Sequence, residues 1–274
     1  MLSTVETTIR RKGPHVVKKA WVRQTKILSP PKIMTLTTII FLTLIFAGVA
    51  ILYASVGHAG ASGYLAGMVL FGLAPATMKP IALILNILVA AIASYKYLKV
   101  GRFSWQIFWP FAITSIPCAY WGGLILLPNH YYKPMIGMIL IYAAFRFVKD
   151  AAKPDYQIRK PIRSVMLALG AMLGLLSGLV GVGGGIFLSP LLITLRWETV
   201  KTVSGISALF ILVNSLAGLL GFLASNSPQL PPGLPLWLMA VAIGGYLGAE
   251  YGSQRLSNIT IKRLLSLVLL MAYP

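Results

Sequence analysis

The chain has 274 residues, of which 57% are hydrophobic and only 11% charged, and its net charge is +19. Soluble domains carry about 25% charged residues, so this composition excludes a water-soluble globular protein and points to an all-α integral membrane protein. One cysteine, three histidines and five acidic residues leave no internal disulfide, no four-cysteine zinc site and little material for hydrolysis, so neither a cofactor nor an enzyme is expected.

The first element is a basic segment, 1–32, running from Arg10 and Arg11 to Lys32 ahead of any apolar block. It reads as a juxtamembrane arm drawn to anionic lipid headgroups, at roughly 1 kcal/mol per basic side chain, and not as a nucleic-acid module. The apolar run that follows has no small-x-small cleavage site and reads as a span, not a leader. Spans are expected at 33–55, 80–98, 106–127, 134–148, 162–180, 202–223, 235–252 and 259–273. Two short apolar stretches, 61–73 and 185–196, follow the clusters Gly57-His58-Ala59-Gly60 and Gly181-Val182-Gly183-Gly184-Gly185. Each is too short to cross comfortably and reads as a half-helix.

The order of elements repeats. Membrane repeat 1 covers 33–148, a polar linker covers 149–161, and membrane repeat 2 covers 162–274. Asn86 and Asn214 occupy matching places 128 residues apart. If each half-helix dips in and returns to the same side, seventeen basic residues share one face and seven the other. The positive-inside rule then favours eight full spans in two parallel repeats, with both termini cytoplasmic. If the half-helices cross, the split is fourteen to ten.

A broken helix frees backbone N–H groups that lipid cannot satisfy, and the next helix start carries partial positive charge. Gly57, Gly60, Gly183, Gly184 and Gly185 are therefore candidate contacts for an anion, close glycine packing being the alternative. His58, inside the first break, either contacts that anion or is a packed imidazole. Asn86, Asn214 and Ser207 either line a polar path or bond between helices. Lys79, seven residues before Asn86, stands at an external helix start, where it guides anions or snorkels. Glu250 is a candidate proton carrier or a headgroup-level carboxylate.

The run Gly178-Leu-Val-Gly-Val-Gly-Gly-Gly-Ile-Phe-Leu-Ser-Pro190, with the apolar piece and the Lys201–Asn214 segment after it, resembles the sulfite exporter TauE/SafE family. The likeness covers roughly 33–273, although Gly57–Gly63 lacks the triple glycine and the later proline. It implies two repeated halves, about eight spans and permeation of small, often sulfur-containing anions. The expected function is a secondary permease of the cytoplasmic (inner) membrane for sulfite, a sulfonate or an organosulfur acid, one repeat rocking against the other. A non-transporting scaffold subunit of a membrane complex and an anion channel are the alternatives. The expected partners are the anion, the bilayer, and a second copy or membrane complex, with no nucleic acid.

Overall fold

A computed structural model describes residues 35–127, 158–228, 230–255 and 260. Among these the chain forms helices α1 (Leu36–Ala54), α2 (Ala61–Leu70), α3 (Pro75–Lys99), α4 (Trp105–Leu124), α5 (Arg163–Val180), α6 (Gly185–Thr194), α7 (Val200–Ser225) and α8 (Leu234–Glu250), closed by a π-helical turn at Tyr251–Arg255. No strand occurs among the described residues. Met1–Thr38 is a separate unit, in which the Thr38 N–H donates to Thr35 Oγ1 at 3.3 Å at the start of α1. The basic arm, the expected span at 134–148, and all but Thr260 of that at 259–273 lie outside the described residues. The bundle described below runs from Ile39 onward.

Among the described residues, four helices are long and apolar enough to cross a membrane: α1, α3 from Ala76, α5 and α7. A helix of 19 residues spans about 28 Å, close to the roughly 30 Å hydrocarbon core. α4 and α8 add 20 and 17 residues, and prolines 110 and 117 lie inside α4. Much apolar surface points outward, Leu44, Ile113, Leu220 and Met239 among it. In water that would be an aggregation surface; in a bilayer it is matched to lipid tails. α3 and α7 are the central pair, each 61% buried along its apolar window, against 22% for α1.

Glycine stripes set the packing. On α5, Gly170, Gly174 and Gly178 recur every fourth residue and lie flush on α4. A Cβ at Gly174 would sit 2.2 Å from Ser115 O, and one at Gly178 would sit 2.0 Å from Ala119 O. Gly244, Gly248 and Gly252 repeat the device against α1, where a Cβ at Gly248 would lie 2.2 Å from Ile51 O. Lipid supplies no hydrophobic drive between helices, so close backbone approach through small residues carries the association. Both seams join the first helix of one half to the fourth element of the other.

These contacts also fix direction. Gly244 faces Ala47 and Gly252 faces Ser55, while Gly245 meets Val89 and Glu250 meets Lys96, so α1, α3 and α8 run the same way. Gly170 faces Phe111, Gly178 faces Ala119, Gly205 faces Arg102 and Gly221 faces Tyr120, so α4, α5 and α7 also share a direction. The two sets are opposed, because Tyr97 lies by Gly205 while Leu83 lies by Gly218. The short helices are return limbs. Gly63 and Gly67 of α2 run back along Val49 and Ile45 of α1. α6 leads back to the end where α5 begins, with Arg159 N–H donating to Arg196 O at 2.8 Å.

This corrects the expected topology. α1 and α3 were to be antiparallel, with the half-helix dipping from the far side and the repeats parallel. They run in the same direction, and corresponding helices of the two halves run oppositely. Hydropathy measures a segment's length and gives no direction, so a ten-residue piece after a glycine turn is compatible with either path. Ile39 and the 96–102 loop therefore lie at opposite ends of the bundle. The seventeen-to-seven charge split, which placed the N-terminal side with that loop, does not hold. In the bundle Lys96, Lys99, Arg102, Arg159, Lys160, Arg163, Arg196, Lys201 and Arg255 gather at one end, and Lys79 lies toward the other.

Candidate functional site

Both breaks are built by left-handed glycines. In the first, Gly57 (φ +77) turns the chain out of α1 and Gly60 (φ +102) caps α2. Gly57 admits no side chain, since a Cβ there would lie 2.2 Å from Ser204 O. In the second, Gly181 (φ +84) caps α5, and Gly183 and Gly184 (both φ +78) lead into α6 at Gly185. The whole of each break is buried.

The first break is filled and hydrogen-bonded. Tyr97 Oη donates to Ser55 O at 2.9 Å, and Tyr64 Oη donates to Ala59 O at 2.7 Å. His58, 2% exposed, places Nδ1 3.1 Å from Val56 O and Nε2 3.2 Å from both Gly185 O and Ser189 Oγ. Ser189 Oγ is in turn 2.6 Å from Ser207 Oγ. His58, Gly185 and Ser207, all expected site residues, thus meet where the first break touches the start of α6. Ser189 completes that chain; it lies in the glycine signature itself, one residue before Pro190.

The second break is different, because its polar neighbours lack partners. Asn86 on α3 is fully buried, and neither Nδ2 nor Oδ1 has a hydrogen-bond partner. Its Nδ2 lies 3.2 Å, and Ser215 Oγ on α7 lies 2.8 Å, from where a Cβ of Gly183 would stand. Ser215 Oγ and Ser177 Oγ are also unpartnered, and Ser177 Cβ is 3.3 Å from the Cβ position of Gly184. Buried polar groups are nearly always satisfied, so several orphans converging on one glycine loop make the second break the candidate binding place. Asn214 is only half engaged: Nδ2 donates to Phe210 O at 2.8 Å, one turn back on its own helix, and Oδ1 is free. No hydrogen bond joins Asn214 to Asn86. Ser215 and Ser177 carry no motif of their own, and only their neighbours Asn214 and Gly178 hinted at them.

Two charged candidates move. Lys79 is not a snorkelling surface residue: it is 1% exposed, and Nζ donates to Gly122 O, Gly123 O and Ile125 O at 3.3, 3.2 and 3.0 Å. These carbonyls lie at the C-terminal end of α4, where helix carbonyls run short of partners and only Gly122 O also accepts a main-chain N–H, from Ile125 at 3.4 Å, which draws the ammonium inward. Glu250 pairs with Lys96, whose Nζ lies 3.9 Å from the centre of the Tyr246 ring, and accepts from Gln254 Nε2. Its side chain is 34% exposed at the end of α8.

The chain matches the sulfite exporter TauE/SafE family over residues 40–273. It is 40% identical over 240 residues, 86% of this chain and 97% of the relative, to a protein of Sinorhizobium fredii named as a probable membrane transporter. A protein of Methanocaldococcus jannaschii with the same description is 27% identical over 139 residues, 50% of this chain and 52% of its own length. No solved structure matches at a significant level. Multiple apolar helices, two buried glycine breaks and a family match across most of the chain agree: this is a multi-pass membrane transporter belonging to the sulfite exporter TauE/SafE family.

Proposed function

We propose that the chain is a secondary transporter that carries a small anion, such as sulfite, a sulfonate or an organosulfur acid, across the cytoplasmic membrane. The observation that carries this reading is the set of unpartnered buried groups, Asn86, Ser215 and Ser177, around Gly183 and Gly184. Amide and hydroxyl hydrogens, together with N–H groups at the start of α6, suit an oxyanion that has shed its water. Gly57, Gly60 and His58 form the opposing wall, which reaches the same helix start through Gly185 and Ser189.

Opposed helix directions in the two halves support an inverted internal duplication, the arrangement in which binding at broken helices near the midplane serves alternating access. The basic cluster at the end holding the 96–102 loop supports that end as cytoplasmic. Ile39 then stands at the external end.

The test is uptake or efflux of labelled sulfite and sulfonates in proteoliposomes of the purified chain, wild type against Gly183→Ala. A Cβ at Gly183 would fall 2.7 Å from Ile211 Cγ2, between the orphaned groups and on a left-handed residue. The expected result is saturable flux in the wild type and at least a tenfold loss in the variant. Near-normal flux in the variant would return Gly183 to plain packing.

A further inference from the structure

We infer that the anion passes between the second break and the basic end of the bundle along the α3–α7 interface, and that Tyr97 is the plug that closes this route. This rests on the transport reading and adds the path and its gate. Asn86, Ser94 and Tyr97 follow one another on α3 at intervals of eight and three residues. That spacing keeps them within about 80° of the helix surface. Ser215, Ser207 and Ser204 stand on α7 at the same two intervals, in reverse order. The two helices are antiparallel, and their register is fixed at both ends. Leu83 Cδ2 lies 3.8 Å from the Cβ position of Gly218, and Tyr97 Cβ lies 3.3 Å from that of Gly205. The register sets Asn86 against Ser215, Ser94 against Ser207, and Tyr97 against Ser204. All six are buried. Ser94 Oγ, like Asn86 and Ser215 Oγ, has no hydrogen-bond partner. Unpaired buried groups in file between two membrane helices fit a route for a polar solute better than a packing seam. Ser207 also joins the file to the first break, through Ser189 Oγ at 2.6 Å and His58 Nε2 beyond it.

Tyr97 ends the file. It is fully buried, and its Oη donates to Ser55 O at 2.9 Å. That carbonyl is held on the α1–α8 seam, where a Cβ at Gly252 would stand 2.0 Å from it. One turn inward on α3 is the unpartnered Ser94. Outward come Lys99 and then Arg102, whose main-chain oxygen would lie 1.9 Å from a Cβ at Gly205. The ring therefore stands between the last orphaned hydroxyl and the basic cluster. A change of χ1, with the loss of one neutral hydrogen bond, opens the file to that end.

The experiment uses the full chain carrying Cys118→Ser and Ser94→Cys, in right-side-out and inside-out membrane vesicles. The probe is sulfonatoethyl methanethiosulfonate, an impermeant anion. Lys99→Cys in the same background identifies the face that holds the basic end and gives the rate of an open position. With Tyr97 intact, Ser94→Cys should react about a hundredfold more slowly than Lys99→Cys, because reaction must wait for a local opening. Tyr97→Ala should raise that rate about tenfold or more from the basic face and leave the other face unchanged. The adduct at position 94 should block sulfonate flux. An unchanged rate in Tyr97→Ala overturns the plug, as does Ser94→Cys reacting as fast as Lys99→Cys with Tyr97 in place. An equal rise from both faces also overturns it, since that is general loosening. Full sulfonate flux through the adduct overturns the route. If Tyr97→Ala does not fold, Tyr97→Phe decides: loss of the bond to Ser55 O should raise the rate about threefold, and no rise overturns the plug. Absence of flux in the unmodified protein removes the transport reading alone, because the labelling rates need no substrate and still show whether Tyr97 closes the interface.

Discussion

Replacing Asn86 by leucine should make the protein more stable and less active at once. Asn86 is fully buried with neither amide atom bonded. An unsatisfied buried polar group costs about 1–3 kcal/mol, and leucine has nearly the same volume without either group. The variant should therefore gain about 1–3 kcal/mol of stability, equivalent to a melting temperature higher by about 2–10 °C. Transport should fall roughly ten- to hundredfold, since a desolvated anion oxygen loses a donor of that same magnitude. The assay pairs thermal unfolding in detergent with anion flux from the same preparation. An asparagine that holds helices together would show the opposite pattern, lower stability with flux intact. That outcome would refute the assignment of Asn86 to the anion.

Further outcomes follow from the packing and the topology. Gly174→Val should destabilise the bundle by at least about 2–3 kcal/mol, because its Cβ would stand 2.2 Å from the main-chain oxygen of Ser115; an unchanged melting temperature would mean the seam is not tight. With Cys118 replaced by serine, a cysteine at Lys99 should react only with reagent from the cytoplasmic side. One at Ser227, just beyond α7, should react only from outside, and labelling of both from one side would overturn the orientation. The same membrane-impermeant reagent serves both positions.

The breaks were legible in the sequence because glycine clusters inside apolar runs have few other uses. The expected half-helix starts at 61 and 185 coincide with Ala61 and Gly185. Direction was not legible, since hydropathy reports how far a segment reaches and not which way it goes. The spacing of Gly170, Gly174 and Gly178 was plainly present, but a spacing of four names a packing face and not the helix that fills it. Lys79 was misplaced for a related reason. Its position beside Pro80 suggested a membrane surface, whereas the carbonyls that hold it belong to residues 122–125, more than forty positions away. Ser177 and Ser215 were invisible as site residues because a lone serine in an apolar helix has no pattern until its neighbours are known.

The two glycine seams decide what can move. Because α1 is fused to α8 and α5 to α4 at backbone contact, the described helices of neither half form a separate mechanical part. The rigid pieces are mixed, each assembled from the front of one half and the back of the other. Rocking of one repeat against its twin would have to tear both seams, whereas a shear along the central α3–α7 interface would leave them intact. That interface passes beside Asn86 and Ser215, and a slip of one turn there would carry the orphaned groups from one glycine break toward the other. A chain severed in its linker would then still travel as the same two bodies, its halves held by interlock and not by the peptide bond.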